Sequence, residues 1–200
     1  FLWFGKLTAR ARLGLLVPPG VVPDLTTTSG AISVRGDFPE ARPLWLRSAS
    51  GTLSFTGTAA SLEVRSTDGD VEVELIRPLE SFTASTSSGD VGLSGGARRA
   101  KVGTASGNID LAGLSGGLEA TTSSGEITIS WDRLEADQVV RIRASSGRVR
   151  LVVPAGVSPR GRLATTTGSV RSELPGEVEA DGSTLRLAGD GPQFDVETAS

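Results

Sequence analysis

The chain has 200 residues, enough for one large domain or two small ones. Its net charge of -3 lacks the strong basic excess typical of nucleic-acid-binding proteins, and the absence of cysteine excludes disulfide bonds and thiolate metal sites. Histidine is also absent, which excludes a Ser-His-Asp triad. The sequence contains no apolar run of about 18 residues, the length that would predict a membrane span.

The dominant feature of the sequence is a short phrase that recurs along the chain. It reads TSSGDVGL at 86–93, TASGNIDL at 104–111 and TSSGEITI at 122–129. Its glycines recur every 18 to 22 residues, at Gly30, Gly51, Gly69, Gly89, Gly107, Gly125, Gly147 and Gly168. Repeats of this length are typical of solenoids, in which neighbouring copies stack on one another.

Each copy carries two alternating apolar pairs, one on either side of its glycine. In the Gly125 copy, Ile127 and Ile129 follow the glycine, while Leu118 and Ala120 precede it. Alternation with period two predicts half-buried strands, so each copy is a strand, a glycine turn, a strand and a second turn. We therefore predict an all-β fold, a single-stranded parallel β-solenoid (β-helix) of ~18–22 residues per coil. Parallel crossovers favour right-handed coiling, and residues 1–200 are taken as a single repeat domain.

A column of small hydroxyl residues lies three positions before the glycines. Its members are Thr27, Ser48, Ser66, Thr86, Thr104, Thr122, Thr165 and Thr198, with Ala144 as the exception. By alternation these side chains point inward, where an unpaired hydroxyl costs about 1–3 kcal/mol. We expect them to bond backbone groups of the turns or one another. The glycines are expected to supply a left-handed φ for the chain reversal.

Towards the ends the pattern is less regular. Residues 15–30, LLVPPGVVPDLTTTSG, are similar to residues 151–168, LVVPAGVSPRGRLATTTG. We therefore predict that residues 15–30 form the first coil and that Phe1–Thr8 form an incomplete cap. Residues 177–188 predict a hairpin insertion that turns at Asp181-Gly182. The closing ETAS at 197–200 resembles a copy cut before its glycine. We expect the chain to be a trimmed piece of a longer protein, with any signal or anchor outside it.

The repeated TSSGDV-type turns, together with VPAGVSPRGRLATTTGSV and GDGPQFDVETAS, resemble a bacterial family of unknown function. Members of that family are described as adhesins with β-strand repeats. The resemblance covers nearly the whole chain and implies a β-solenoid without catalytic residues. It also implies a cell-envelope or extracellular location.

Outward positions after the glycines are acidic in the middle copies. The residues are Asp70, Glu72, Asp90, Asp110 and Glu126. Like charges on stacked strands about 4.8 Å apart repel one another, which favours a bound cation such as Ca²⁺ or a basic partner. The alternative is an ordinary solvated surface, because the spacing matches no known calcium loop.

In the later copies the outward charged residues are basic instead of acidic, which predicts a patch that binds an anionic partner. Its residues are Arg148, Arg150 and Arg171, with Arg141, Arg143 and Arg162 on the other strand. The sequence shows no catalytic, cofactor-binding or metal-ligating motif, and we predict no cofactor.

Three functions fit these features. The first is a non-enzymatic binding or structural module of the cell envelope or surface, of the adhesin type, with an envelope protein or a glycan as partner and no nucleic acid. The second is a self-assembling β-helical scaffold with end-to-end association, suggested by the open ends. The third, by analogy of fold alone, is a carbohydrate-active enzyme in which Asp70, Asp90 and Asp110 supply carboxylates.

Overall fold

The computed structural model describes residues 13–14, 16, 18, 20–38, 42–167, 169, 171–174, 176–179 and 182–199. These residues contain strands and no helix. In chain order the strands are β1 (Asp24–Ser29), β2 (Ile32–Phe38), β3 (Leu44–Ser50), β4 (Leu53–Ala59), β5 (Ser61–Arg65), β6 (Val71–Leu75), β7 (Ser81–Ser85), β8 (Val91–Ser94) and β9 (Arg99–Ser106). They continue with β10 (Ile109–Leu114), β11 (Gly117–Ser124), β12 (Ile127–Trp131), β13 (Val139–Ser146), β14 (Val149–Val152), β15 (Arg160–Thr165), β16 (Gly176–Val178), β17 (Thr184–Ala188) and β18 (Gln193–Thr198).

The strands form two sheets that face each other across one core. The first sheet has 11 strands in the order β1-β3-β5-β7-β9-β11-β13-β18-β15-β17-β16, and the second has seven in the order β14-β12-β10-β8-β6-β4-β2. Odd strands from β1 to β13 pair in parallel, as do all strands of the second sheet. The predicted parallel β-solenoid is confirmed, while its right-handed coiling stays a prediction.

The register reproduces the repeat read from the sequence. Leu62 pairs with Phe82, Phe82 with Ala100, and Ala100 with Leu118. Each step along this column advances 18 or 20 residues, within the predicted coil length. Facing columns from the second sheet, such as Ile109 and Ile127, are fully buried, so one apolar core runs through the stack. Alternating residues fill this core because their copies share one register.

The hydroxyl column is inward and bonded, as predicted. Thr122 Oγ1 donates to the carbonyl of Gly107 at 3.5 Å, and Thr104 Oγ1 donates to that of Gly89 at 3.3 Å. Thr86 bonds the carbonyl of Gly69 in the same way at 3.4 Å. These three hydroxyls therefore tie their own coils to the glycine corner of the coil before them. Ser66 differs, since its buried Oγ has no hydrogen-bond partner among the described residues.

The reason for the glycines differs from the one we expected. Gly51, Gly125 and Gly147 have positive φ, whereas Gly69 and Gly107 do not. What these five share is close stacking, because a Cβ on any of them would lie less than 3.0 Å from the carbonyl of the preceding glycine. Close approach of the backbones requires glycine at all five corners. A left-handed backbone conformation is a second requirement at only some of them.

The C-terminal strand is out of order in the stack. β18 pairs in parallel with β13 on one side and with β15 on the other, so the last strand lies between two earlier ones. Phe194 and Val196 continue the inward columns of Val140 and Ile142. The expectation that each copy lies on its predecessor is therefore wrong at this point.

The predicted hairpin near 177–188 is confirmed, with β16 antiparallel to β17. Its turn contains Gly182 at a φ of 70°, while Asp181 lies outside the described residues. β17 also pairs antiparallel with β15, so the hairpin extends the first sheet. The expected cap at Phe1–Thr8 also lies outside the described residues.

Candidate functional site

The two sheets end unequally at the C-terminal side of the solenoid. Beyond β13 the first sheet continues through β18, β15, β17 and β16, whereas β14 is the terminal strand of the second sheet. A hollow of about 770 Å³, which we call the C-terminal crevice, lies between β14, the inner faces of β18 and β15, and residues 169 and 171–174. This volume lies within the range of ligand-binding pockets.

The floor of the crevice is apolar. Phe194 and Val196 of β18 and Leu163 of β15 face it. Val149 and Leu151 of β14 also line it and are only half-buried. Their register partners in the preceding coil, Ile127 and Ile129, are 0% exposed. The last coil therefore leaves the apolar column incompletely covered.

Three arginines lie along the rim of the crevice. Arg150 belongs to the outward face of β14, Arg148 directly precedes that strand, and Arg171 comes from the segment after β15. All three are exposed, and none forms an ion pair with another side chain in the described part of the chain. Glu173 is the acidic residue of the lining, so positive charge exceeds negative charge at this rim.

The structure does not bring the other three predicted arginines to the crevice. Arg141, Arg143 and Arg162 lie on the outer face of the first sheet, where the inserted β18 separates β13 from β15. Asp195 pairs in register with both Arg141 and Arg162, and the Glu197 carboxylate lies 3.7 Å from Arg143 Nε. This face therefore alternates charge from strand to strand.

The predicted acidic residues lie in two adjacent columns of the second sheet. Asp70, Asp90 and Glu126 share the first column, while Glu72 and Asp110 lie in the second with Gly92 between them. Glu72 and Asp110 line a shallow hollow of about 440 Å³ over Gly92. In the structure the five carboxylates do not converge on one point.

The carboxylates of the first acidic column bond backbone amides of the next coil. Asp70 Oδ1 accepts the N–H of Asp90 at 2.9 Å, and Asp90 Oδ1 accepts the N–H of Asn108 at 2.7 Å. Asn108 Oδ1 continues the ladder to the N–H of Glu126 at 2.9 Å. No group of three or more His, Cys, Asp or Glu side chains in the described ranges is arranged to hold a metal ion.

The two tryptophans of the described coils have different environments. Trp131 is buried, donates from Nε1 to the carbonyl of Gly116 at 3.0 Å, and packs on Phe194 at 5.8 Å between ring centroids. Trp45 is half-buried on the outer face of the first sheet, with the Arg47 guanidinium 4.4 Å from its ring. Trp131 supports the core beside the crevice.

The crevice floor did not follow from the sequence, because the truncated copy that ends in ETAS, and with it Phe194 and Val196, was expected at the end of the stack. One signal was available. The Gly168 copy has Val170 followed by Ser172 where the other copies have two apolar residues, which predicts a weak second-sheet strand. The described residues between 169 and 174 form no strand, while Gly168 and Val170 lie outside the described residues.

A family model named Toastrack DUF4097 matches the chain over residues 23–96 and 94–190. The chain belongs to this family. The Toastrack DUF4097 family is of unknown function. The two matched stretches meet at 94–96, where β7 pairs with β9 and β8 with β10, so both sheets are continuous across the junction.

Comparison with curated proteins and with solved structures gives no match for this Toastrack chain. The part of the chain that the structure describes has no helix long and apolar enough to cross a membrane.

Proposed function

We propose that this Toastrack domain is a non-enzymatic binding module of the cell envelope or cell surface, and that its ligand binds in the C-terminal crevice. The observation that carries the proposal is the combination of an apolar floor with Arg148, Arg150 and Arg171 at its rim. Binding pockets are typically lined by apolar side chains with a few polar groups that orient the ligand. Exposed guanidinium groups without an ion-pair partner favour carboxylate or phosphate ligands.

A binding role fits the crevice better than catalysis does. Glycoside hydrolysis requires two carboxyl groups on either side of the bond that breaks. Glu173 is the one carboxylate among the described residues of the lining, and the lining contains no lysine. Asp70 and Asp90, two of the three carboxylates suggested for an enzyme, instead accept hydrogen bonds from backbone amides at the coil corners, and Asp110 lies outside the crevice lining. Turnover of an acidic polysaccharide that Asp90→Ala abolishes would overturn the non-enzymatic assignment.

The envelope location rests on the resemblance to adhesins with β-strand repeats. It is tested by separating cytosolic and envelope fractions of the source cells and detecting the native chain with an antibody. Recovery in the envelope fraction supports the location, whereas recovery in the cytosol overturns it.

The binding role is tested by affinity capture from envelope extracts with the intact chain as bait. The variant Arg148→Glu with Arg150→Glu is expected to retain less of the captured partner than the parent chain. Arg99→Glu with Arg133→Glu is the matched control, since both arginines are exposed and lie outside the crevice lining. A partner set unaffected by the crevice variant excludes the crevice, and capture of neither protein nor glycan contradicts the binding function.

A second candidate is end-to-end self-assembly, favoured by the terminal strands β2 and β14 of the second sheet. Unpaired parallel edges are prone to associate with other strands. Light scattering of the full-length protein distinguishes the two candidates. The average mass of a self-assembling scaffold increases with protein concentration, whereas a binding module stays monodisperse.

A further inference from the structure

We propose that the C-terminal crevice binds an extended segment of a partner protein, in which acidic and aliphatic residues alternate. The segment adds to β14 as an eighth parallel strand of the second sheet. This inference rests on the proposed binding function and names the partner class of the same site. Strand addition of this kind obtains affinity from main-chain hydrogen bonds and specificity from alternate side chains.

The first argument is the edge of β14 that lies away from β12. Val149–Val152 pair with β12 on one side, and within the described ranges no strand pairs with the other side. In the first sheet the corresponding level is occupied by β18, whose Phe194 and Val196 face inward. Residues 169 and 171–174 line the crevice without forming a strand. Among the described residues, the first sheet therefore continues past the level of β14 whereas the second sheet does not.

The second argument concerns the inward positions of the added strand. Val149 and Leu151 continue the buried column of Ile127 and Ile129, yet they remain half-buried. A parallel strand in register would place alternate side chains over this pair, about 4.8 Å away. Burial of apolar surface stabilises the complex by about 25 cal/mol per Å², so aliphatic residues are favoured at these positions.

The third argument concerns the outward positions. Arg150 lies between Val149 and Leu151 on β14, Arg148 directly precedes the strand, and both arginines are exposed. Side chains of an added strand would lie directly opposite them, where opposite charges stabilise and like charges destabilise the pair. Arg171 adds a third positive charge across the crevice, against the single carboxylate of Glu173. Acidic residues are therefore favoured at the outward positions.

A stretch of the chain itself shows the required pattern. Residues 70–75 read DVEVEL, and in β6 Val71 and Val73 are buried whereas Glu72 and Glu74 are exposed. A synthetic peptide with the sequence of residues 69–76 is consequently a suitable probe. Its controls are the same peptide with the three acids replaced by lysine, and a peptide of identical composition in which acids and aliphatic residues no longer alternate.

Binding of the labelled probe to the full chain is measured by fluorescence anisotropy. We expect the acidic alternating peptide to bind and both controls to bind at least tenfold more weakly. Arg148→Glu with Arg150→Glu is expected to weaken binding at least tenfold, and Arg148→Gln with Arg150→Gln to weaken it by a smaller factor. Arg99→Glu with Arg133→Glu should change affinity less than twofold. Bound peptide should also slow amide hydrogen exchange in β14.

Other results overturn the strand proposal. Equal binding of the scrambled peptide would contradict the requirement for alternating acidic and aliphatic residues. Binding that the crevice variants do not affect would contradict the crevice as the binding site. Binding of decanoate with the same arginine dependence, but not of the peptide, shows that the crevice takes a small aliphatic anion, which leaves the proposed binding function intact. If neither probe binds and affinity capture retains no partner, the binding function fails as well.

Discussion

The middle coils and the C-terminal end of this solenoid use the same residue pattern with different results. From β5 to β12 every coil adds one strand to each sheet, and the inward residues of both sheets are buried. Beyond the coil of β13 and β14, the first sheet gains four strands and the second gains none among the described residues. The regular coils thus complete one another, whereas the irregular end leaves an apolar floor open.

This comparison shows where a repeat protein can place a site. Within the regular stack the described strands are paired on both sides, and carboxylates of the ladder bond backbone amides at the corners. An unequal ending exposes a strand edge and half-buried side chains without disturbing the rest of the core. The four predictions below test this contrast in order of decreasing effect.

The largest effect is expected from shortening a core side chain in the middle of the stack. Ile129→Ala removes a side chain that is 0% exposed and should lower the free energy of unfolding by about 4 kcal/mol. Leu151→Ala, at the register partner that lines the crevice, should cost only about 1 kcal/mol because that residue is half-buried. Urea denaturation measures both, and equal losses would mean that the crevice is closed in solution.

A glycine corner is expected to be the next most sensitive position. Gly107→Ala would bring a Cβ within 3.0 Å of the Gly89 carbonyl, and overpacking against backbone should cost about 2–3 kcal/mol. Gly103→Ala is the control, because the nearest atom to its added Cβ is the Thr121 carbonyl oxygen at 4.0 Å. Thermal unfolding should show a lower free energy of unfolding for Gly107→Ala and a change below about 0.5 kcal/mol for Gly103→Ala. Similar losses would show that glycine flexibility, and not stacking, is what matters.

The hydroxyl ladder allows a finer test. Thr122→Val removes the buried donor to the Gly107 carbonyl and should destabilise the fold by about 1 kcal/mol. Ser66→Ala removes a buried hydroxyl that has no partner among the described residues, so it should be neutral or slightly stabilising. A loss at Ser66 as large as that at Thr122 would show that Ser66 is bonded in solution.

The smallest effect is expected from the charge alternation around β18. Glu197→Gln removes the carboxylate 3.7 Å from Arg143 Nε on an exposed face, and such pairs contribute about 0.5 kcal/mol or less. The loss should disappear in roughly 1 M salt, where the screening length is about 3 Å. A large loss that salt does not reduce would mean that Glu197 holds β18 in place by something other than charge.

Much of the fold could be predicted because each copy repeats the same local information. Alternation at Ile109 and Leu111, repeated at Ile127 and Ile129, predicted the second-sheet strand of each coil and its register. The inward hydroxyls and the hairpin near 177–188 followed from equally local patterns. The candidate site was predicted only in part, since Arg148, Arg150 and Arg171 lie together but Arg141, Arg143 and Arg162 lie on another face.

The length of the coil, the inward columns and the positions of the glycine corners followed from the sequence alone, because they depend on alternation within a copy and on matching between copies. The order of the strands at the C-terminal end depended on long-range packing and became clear from the structure. β15 and β18 share one register, in which Gly161 and Leu163 lie beside Phe194 and Val196, and their competition for the edge of β13 is long-range. β18 occupies that edge with Asp195 between Arg141 and Arg162, and the unequal sheets that result create the crevice.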